Sequence, residues 1–236
     1  MNTQHFVKTS TRDIPGGAIC FDPARIVTPS EHLFNPDNAQ LGASSVKVGG
    51  RQSAWFVTGA FGSAVLRHYR RGGMIARISR DRYIWSGASA TRSFAEFCIL
   101  RDLSNLGLNV PAPLAAAYWR SGPFYRAAIL IERIEGVRTL AETLDHPHAV
   151  ALAIHAMHQA NVWHADLNAY NVLLSQAGQV WLIDFDRARR RTMSPALRQA
   201  NLLRLRRSLL KVAGQNGVQF WSQVQQAYEQ ISAEHL

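Results

Sequence analysis

His164-Ala-Asp166-Leu-Asn168-Ala-Tyr-Asn171-Val-Leu-Leu174, followed by Trp181-Leu-Ile-Asp184-Phe185-Asp186, decides the reading of this 236-residue chain. The apolar runs 171–174 and 179–183, separated by Ala177-Gly178, read as a hairpin. Such a hairpin returns Asp184 to the side of Asp166 and Asn171. Two carboxylates and a carboxamide then converge on one spot. Phosphoryl transfer from a nucleotide needs such a set: one carboxylate beside the attacking hydroxyl and two oxygen ligands for the metal ions that bridge the phosphates. On this reading Asp166 is the catalytic carboxylate, and Asn171 and Asp184 hold Mg²⁺. Asp and Asn also favour turns for conformational reasons alone. That bland explanation does not account for the two motifs occurring together at this spacing.

Working outward, the flanks supply a body for such a site. Upstream, 149–160 is strongly apolar and reads as a helix. Downstream, 195–213 and 220–231 have helical periodicity. Before Gly136 the character is β-rich. Residues 44–48, 54–58 and 64–69 read as a three-stranded meander, 90–106 as a helix ending near Gly107, and 114–119 and 127–134 as two further strands around Ser121-Gly122-Pro123. The fold class expected is α+β, β-rich first and α-rich second. The Pro-containing residues 1–43 show no sustained period and read as an irregular segment with at most one short helix.

Composition narrows the class. Hydrophobic residues make up 47% and charged residues 18%, enough apolar material for a real core and too little charge for a disordered chain. The two cysteines, Cys20 and Cys98, lack Cys-x-x-Cys spacing, which argues against a structural zinc site and for a reducing compartment. No apolar run reaches the length of a membrane span, and the N-terminus has no apolar export signal. The net charge of +10 is carried almost wholly by arginine, the lysines being Lys8, Lys47 and Lys211. Arginine pairs with carboxylates and phosphates through a planar fork. No element that reads nucleic acid accompanies the charge, and the tryptophans are scattered along the chain, so nucleic acid is not an expected partner.

The order of elements, the His-x-Asp-Leu-x-x-x-Asn and Asp-Phe pair, and the segments Leu66-Arg-His-Tyr-Arg-Arg-Gly-Gly73, Val110-Pro-Ala-Pro113 and Ile183-Asp-Phe-Asp186 resemble the lipopolysaccharide core kinases of the protein-kinase-like superfamily. The resemblance implies a two-lobed kinase-like fold: an irregular segment 1–43, a nucleotide-binding lobe 44–136 and a catalytic lobe 137–236, with ATP between the lobes. It implies ATP-dependent phosphorylation of the 4-hydroxyl of a 3-deoxy-D-manno-octulosonic acid (Kdo) residue on Kdo-lipid A. The location implied is peripheral, at an anionic membrane surface on the cytoplasmic face of a Gram-negative inner membrane, with no protein partner. Transferred residue by residue, it places Glu96 on the helix as the glutamate that pairs with a basic residue of the third strand. That basic residue is Arg67, where the superfamily normally has lysine. Gly49 and Gly50 would cover the nucleotide phosphates, though a Gly-Gly turn in an ordinary hairpin reads equally well. Glu132 and Ile134 would lend backbone groups to the adenine, or belong to a buried edge strand.

Several departures from the protein-kinase pattern bear on the acceptor. Fifty residues follow Asp186 (236 − 186), without an Ala-Pro-Glu motif. Ala165 follows His164 where an arginine would serve loop phosphorylation, and Asn168 stands in place of a lysine. A peptide substrate is therefore not expected. From Arg187 to Lys211 there are nine Arg or Lys (187, 189, 190, 191, 198, 204, 206, 207, 211) and no Asp or Glu, which suits an anionic acceptor. Leu202, Leu205 and Leu209 fall on one side of that helix and Arg204, Arg207 and Lys211 on the other. This fits a basic amphipathic helix on a membrane, or a lobe helix with a solvated basic face. His164 reads as a structural residue, and His155 and His158 as packing. The alternatives to the lipopolysaccharide reading are a kinase of another sugar or small molecule and a non-catalytic, membrane-associated pseudokinase.

Overall fold

The computed structural model describes residues 6–46, 54–70 and 81–234. The chain divides into two compact units, one formed by 1–101 with 112–133 and the other by 102–111 with 134–236.

The first unit is built on an antiparallel sheet. Its strands are β1 (Ser10–Ile14), β2 (Gly17–Phe21), β3 (Ser44–Ser45), β4 (Ala54–Gly59), β5 (Gly62–His68), β6 (Tyr83–Ile84), β7 (Pro113–Ser121) and β8 (Phe124–Glu132). They run in the order β1-β2-β7-β8-β5-β4-β3, with β6 also on β8. β7 and β8 form a tight hairpin through Gly122-Pro123 and occupy the centre. Ala115, Ala116, Ala117, Ala128, Ile129 and Leu130 are all fully buried, because the sheet is covered on both faces. Strand alternation sorts these residues. Leu66 stands opposite Leu130, and both join one apolar cluster with Ile26, Phe34 and Leu41. Arg67 stands opposite Ile129 and points to the other face, which carries helix α1 (Arg92–Asn105). Ser93 Oγ of α1 donates to the Ala117 carbonyl at 2.9 Å there.

Residues 6–43 differ from the expectation of an irregular segment over 1–43. β1 and β2 form a hairpin that extends the sheet beyond β7, and 22–41 close one face of the core with two short 3-10 turns, Glu31–Phe34 and Ala39–Leu41. The signal was weak because the exposed edge strand β1 contributes Thr11, Arg12 and Asp13, which carry no apolar alternation.

The second unit is mainly helical. α2 (Pro147–Gln159) packs along α3 (Pro195–Glu234). α3 breaks at Gly214, whose φ of 56° and ψ of −132° are left to glycine by sterics. The second arm folds back on the first, so that Trp221 Nε1 donates to the Leu202 carbonyl at 3.1 Å. At Gly217 a Cβ would lie 2.2 Å from the Leu209 oxygen, so only glycine permits this return. A small sheet completes the unit, with β9 (Val137–Thr139), β11 (Val172–Ser175) and β12 (Val180–Leu182) in the order β12-β11-β9. β10 (Val162–Trp163) pairs with β13 (Arg189–Arg190).

Candidate active site

The β10–β13 ladder ties together the two ends of the segment 164–188, Trp163 opposite Arg189. Asn161, at φ 57°, seals the base: its carbonyl accepts from Arg191 N–H at 2.9 Å. Within the closed segment, His164 is fully buried and bridges the two halves. Its Nδ1 accepts from the Asp166 N–H at 3.1 Å, so Nε2 carries the proton and donates to the Ile183 carbonyl at 3.0 Å. Burial lowers its pKa, with the Ile183 carbonyl acting in the opposite sense, and the ring is held neutral. Phe185 packs on it edge-on at 4.8 Å. His164 thus orders the loop.

The turn that follows is held by its own side chains. Asn168 Nδ2 and Asn171 Nδ2 both donate to the Asp166 main-chain oxygen, at 3.1 and 2.9 Å. Fixing the Asn171 amide in this way leaves its Oδ1 as the end available to a ligand. The β11–β12 register then brings in the third group. Ile183 N–H donates to the Asn171 carbonyl at 3.0 Å, and Asp184 follows directly. Asp184 adopts φ 64°, a left-handed conformation rare for a residue with a side chain. Strain of this kind, about 1–3 kcal/mol, persists where a fold holds a group in place for a purpose. No group of three or more His, Cys, Asp or Glu that would cage a metal occurs among the described residues. One carboxylate and one carboxamide oxygen suit a hard cation that takes its remaining ligands from phosphates and water, as Mg²⁺ does.

Asp166 has a partner that sequence reasoning did not supply. Arg204 Nε and Nη2 both donate to Asp166 Oδ1, at 3.1 and 2.5 Å. Partial burial would raise the Asp166 pKa, but the Arg204 guanidinium and Asn168 outweigh it and hold the carboxyl below its ordinary value. Arg204 comes from the first arm of α3, and its neighbours on that arm hold the same loop. Asn201, buried, donates from Nδ2 to the His164 carbonyl at 2.7 Å and accepts the His164 N–H on Oδ1 at 3.2 Å. Ser208 Oγ accepts the Ala169 N–H at 3.1 Å. The reading of Arg204 as one of three cations on an outward polar face is therefore corrected. Leu202, Leu205 and Leu209 are in the core, and Arg204 turns to the catalytic loop. The available signal was the spacing of Asn201, Arg204 and Ser208, polar residues three and four apart on a leucine-rich helix.

Behind Asn201 lies His158, whose Nδ1 meets the Tyr228 hydroxyl at 2.8 Å and whose Nε2 meets Asn201 Oδ1 at 3.1 Å. Burial pushes the His158 pKa down to about 4, against the opposing hydrogen bond of Asn201.

In the first unit, Arg67 Nη2 meets both Glu96 oxygens, at 2.5 and 2.6 Å, and the Tyr69 hydroxyl donates to Glu96 Oε2 at 2.5 Å. Glu96 is 1% exposed and Arg67 21%. Tyr69 was not foreseen, although its position two residues beyond Arg67 puts it on the same strand face. Glu132 closes β8. Its N–H donates to the Ala112 carbonyl at 2.8 Å, and its carboxylate is met by Arg25 at 3.3 Å; Ile134 lies just past the strand. Gly49 and Gly50 lie outside the described residues.

The model of the lipopolysaccharide kinase (Kdo/WaaP) family matches residues 39–228. The chain belongs to the lipopolysaccharide kinase (Kdo/WaaP) family. Among curated relatives, a protein of Xylella fastidiosa (strain 9a5c) named 3-deoxy-D-manno-octulosonic acid kinase is 51% identical over 208 residues, 86% of this chain and 84% of that protein. Proteins of the same name from Xanthomonas axonopodis pv. citri (strain 306) and Stenotrophomonas maltophilia (strain R551-3) are 50% identical over 204 residues and 49% over 209. They cover 84% and 86% of this chain and 82% and 84% of their own lengths. As a member of this kinase family the chain is a phosphotransferase acting on an alcohol group. The lipopolysaccharide kinase match takes in Arg67, Glu96, Asp166, Asn171, Asp184 and Arg204, and leaves β1 and β2 outside.

Proposed function

We propose that this protein transfers the γ-phosphoryl group of ATP to the 4-hydroxyl of Kdo in Kdo-lipid A. The observation that carries the reaction class is the convergence of Asp166, Asn171 and Asp184 on one closed loop, with the Asn171 amide already oriented. The acceptor is supported by the relatives named Kdo kinase at about half identity. The 4-hydroxyl is what the resemblance to lipopolysaccharide core kinases implies.

In this reading the acceptor oxygen forms the new bond to the γ-phosphorus while the bond to the β-phosphate oxygen breaks. ADP leaves with that electron pair, and the Asp166 carboxylate takes the hydroxyl proton. Asn171 Oδ1 and the Asp184 carboxylate would hold Mg²⁺, which when bound offsets phosphate charge. Arg67, braced by Glu96 and Tyr69, would face the nucleotide phosphates with a permanently charged fork. The segment with Gly49 and Gly50 would cover those phosphates, and the backbone near Glu132 and Ile134 would receive the adenine.

We further read the protein as peripheral on the cytoplasmic face of the inner membrane. Among the described residues no helix is long and apolar enough to cross a membrane. The leucines first considered for lipid contact are buried, but a different stripe of α3 is exposed: Leu203, Arg207, Leu210 and Lys211, at three- and four-residue spacing. Apolar and basic residues alternating on one exposed face suit an anionic lipid surface.

The test is to incubate the purified protein with Mg-ATP and Kdo-lipid A and to look by mass spectrometry for one added phosphate, located on the sugar by NMR. Asp166→Ala should abolish the shift with the fold intact, and Asp184→Asn should remove Mg²⁺-dependent nucleotide binding in calorimetry. Phosphorylation that persists without Asp166 would refute its role; nucleotide binding without transfer would redirect the acceptor.

A further inference from the structure

The loop that bears the catalytic carboxylate contains no cation of its own. From His164 to Leu174 there is neither Lys nor Arg, and the loop's amides are spent on its main chain. The only cation among the described residues seen to bond the Asp166 carboxylate is Arg204, which comes from another element, 38 residues on. Its fork is committed to one oxygen. Both Nε and Nη2 point at Oδ1, and no bond from the guanidinium to Oδ2 is seen.

The same helix arm grips the loop at two more points, in register. Asn201 takes the His164 N–H and carbonyl, Arg204 the Asp166 carboxylate, and Ser208 the Ala169 N–H. Three side chains at i, i+3 and i+7 therefore meet the loop at three points, His164, Asp166 and Ala169. The arm itself cannot rotate away, since Leu202, Leu205 and Leu209 are sunk in the core on its adjoining face. The ion pair is not a buried structural necessity. Arg204 and Asp166 side chains are 43% and 49% exposed, and pairs so open to water contribute little to folding.

From this geometry we infer that Arg204 is a positioning residue for phosphoryl transfer. By holding Oδ1, it turns Oδ2 of Asp166 toward the acceptor hydroxyl and supplies the positive charge that the loop lacks. The inference rests on the reading of Asp166 as the proton-accepting carboxylate. A half-exposed carboxylate without this clamp samples several rotamers, and only some place an oxygen on the reacting proton. Arg204 therefore acts through Asp166. Its loss costs turnover rather than nucleotide affinity.

The experiment uses the full chain with Mg-ATP and detergent-dispersed Kdo-lipid A, comparing wild type with Arg204→Gln, Arg204→Lys, Arg204→Ala, Asp166→Ala and the Arg204→Gln/Asp166→Ala double variant. Arg206→Gln removes an equal charge from the same helix arm. Arg206 lies over the Trp221 ring at 5.2 Å, away from this role. Arg204→Gln is expected to lower kcat by about tenfold or more, with KM for ATP within about twofold. Arg204→Lys recovers part of kcat, added guanidinium restores part of it to Arg204→Ala, and Arg206→Gln, which reports what the loss of one charge costs by itself, lowers kcat less than Arg204→Gln does. In the Asp166→Ala background, loss of Arg204 costs nothing further. If Arg204→Gln keeps kcat within about twofold, or loses it only as fully as Arg206→Gln does, the inference is overturned while an inactive Asp166→Ala leaves the reaction reading standing. If Asp166→Ala is itself active, the reaction reading fails first.

Discussion

The two units each carry an arginine–carboxylate pair, and the pairs differ in what surrounds them. Arg67 and Glu96 meet inside the first unit, with the carboxylate 1% exposed and a tyrosine hydroxyl on its second oxygen. Arg204 and Asp166 meet in the second unit with nearly half of each side chain in water. The same chemical contact therefore has two energetic meanings. In the dry site the carboxylate has already lost its hydration, so removing the arginine takes away an interaction that water cannot replace. In the wet site water replaces either partner, and what the pair contributes is geometry.

The sharpest way to break this comparison is Arg67→Met. It should lower the unfolding free energy by up to about 3–5 kcal/mol, measured by urea titration, because it takes a bidentate cationic partner from a carboxylate that is 1% exposed. A loss below 1 kcal/mol would show that the first-unit pair is as well hydrated as the second.

Acidification probes the buried imidazoles, and the second unit most strongly through His158. Burial pushes the His158 pKa down from the ordinary 6.5 to about 4, so the unfolded chain binds the proton first. The stability this neutral ring confers is complete above pH 6.5 and is lost as pH falls toward 4, amounting to about 3 kcal/mol. Urea titrations between pH 7 and pH 4 should show that fall, and His158→Gln should make it shallower, with His68 and His164, also lowered by burial, carrying the remainder. Next in size, Asn201→Leu should cost about 1–3 kcal/mol, since it leaves the buried His164 N–H and carbonyl without partners. The smallest stability effect expected is that of Arg204→Gln, under about 1 kcal/mol in the same titration, beside the large effect on kcat argued above. A cost equal to that of Arg67→Met would erase the distinction between the two pairs.

Legibility followed locality. The hairpin that carries Asn171 and Asp184 could be read because turn residues and short apolar runs lie within one window, and β11 and β12 form it. The helix 90–106 and the break in the last helix were read from periodicity, and α1 and the Gly214 kink lie there. Arg67 and Glu96, 29 residues apart, were paired through the family resemblance, and the structure joins them. Tyr69 as a third member escaped, because strand alternation says which face a residue takes and not what it meets there. The N-terminal hairpin was missed for the opposite reason: an edge strand with one solvent-facing side and several charges carries little pattern.

By itself, the sequence determined the α+β class, the order of the elements and the oxygen-bearing residues of the loop. Each of these depends on residues close together in the chain, where turn sterics and hydrophobic period act directly. Only the tertiary structure decided that Arg204 bonds Asp166, that Asn201 and Ser208 hold the same loop, and that residues 22–41 close the core of the sheet. The physical reason is that a helical wheel ranks faces by polarity, and a polar face looks the same whether it meets water or a buried turn in need of donors. Which of the two it meets is set by packing: the leucines of α3 and the return of its second arm past Gly214 fix the rotation of the first arm, and with it the place of every arginine it carries.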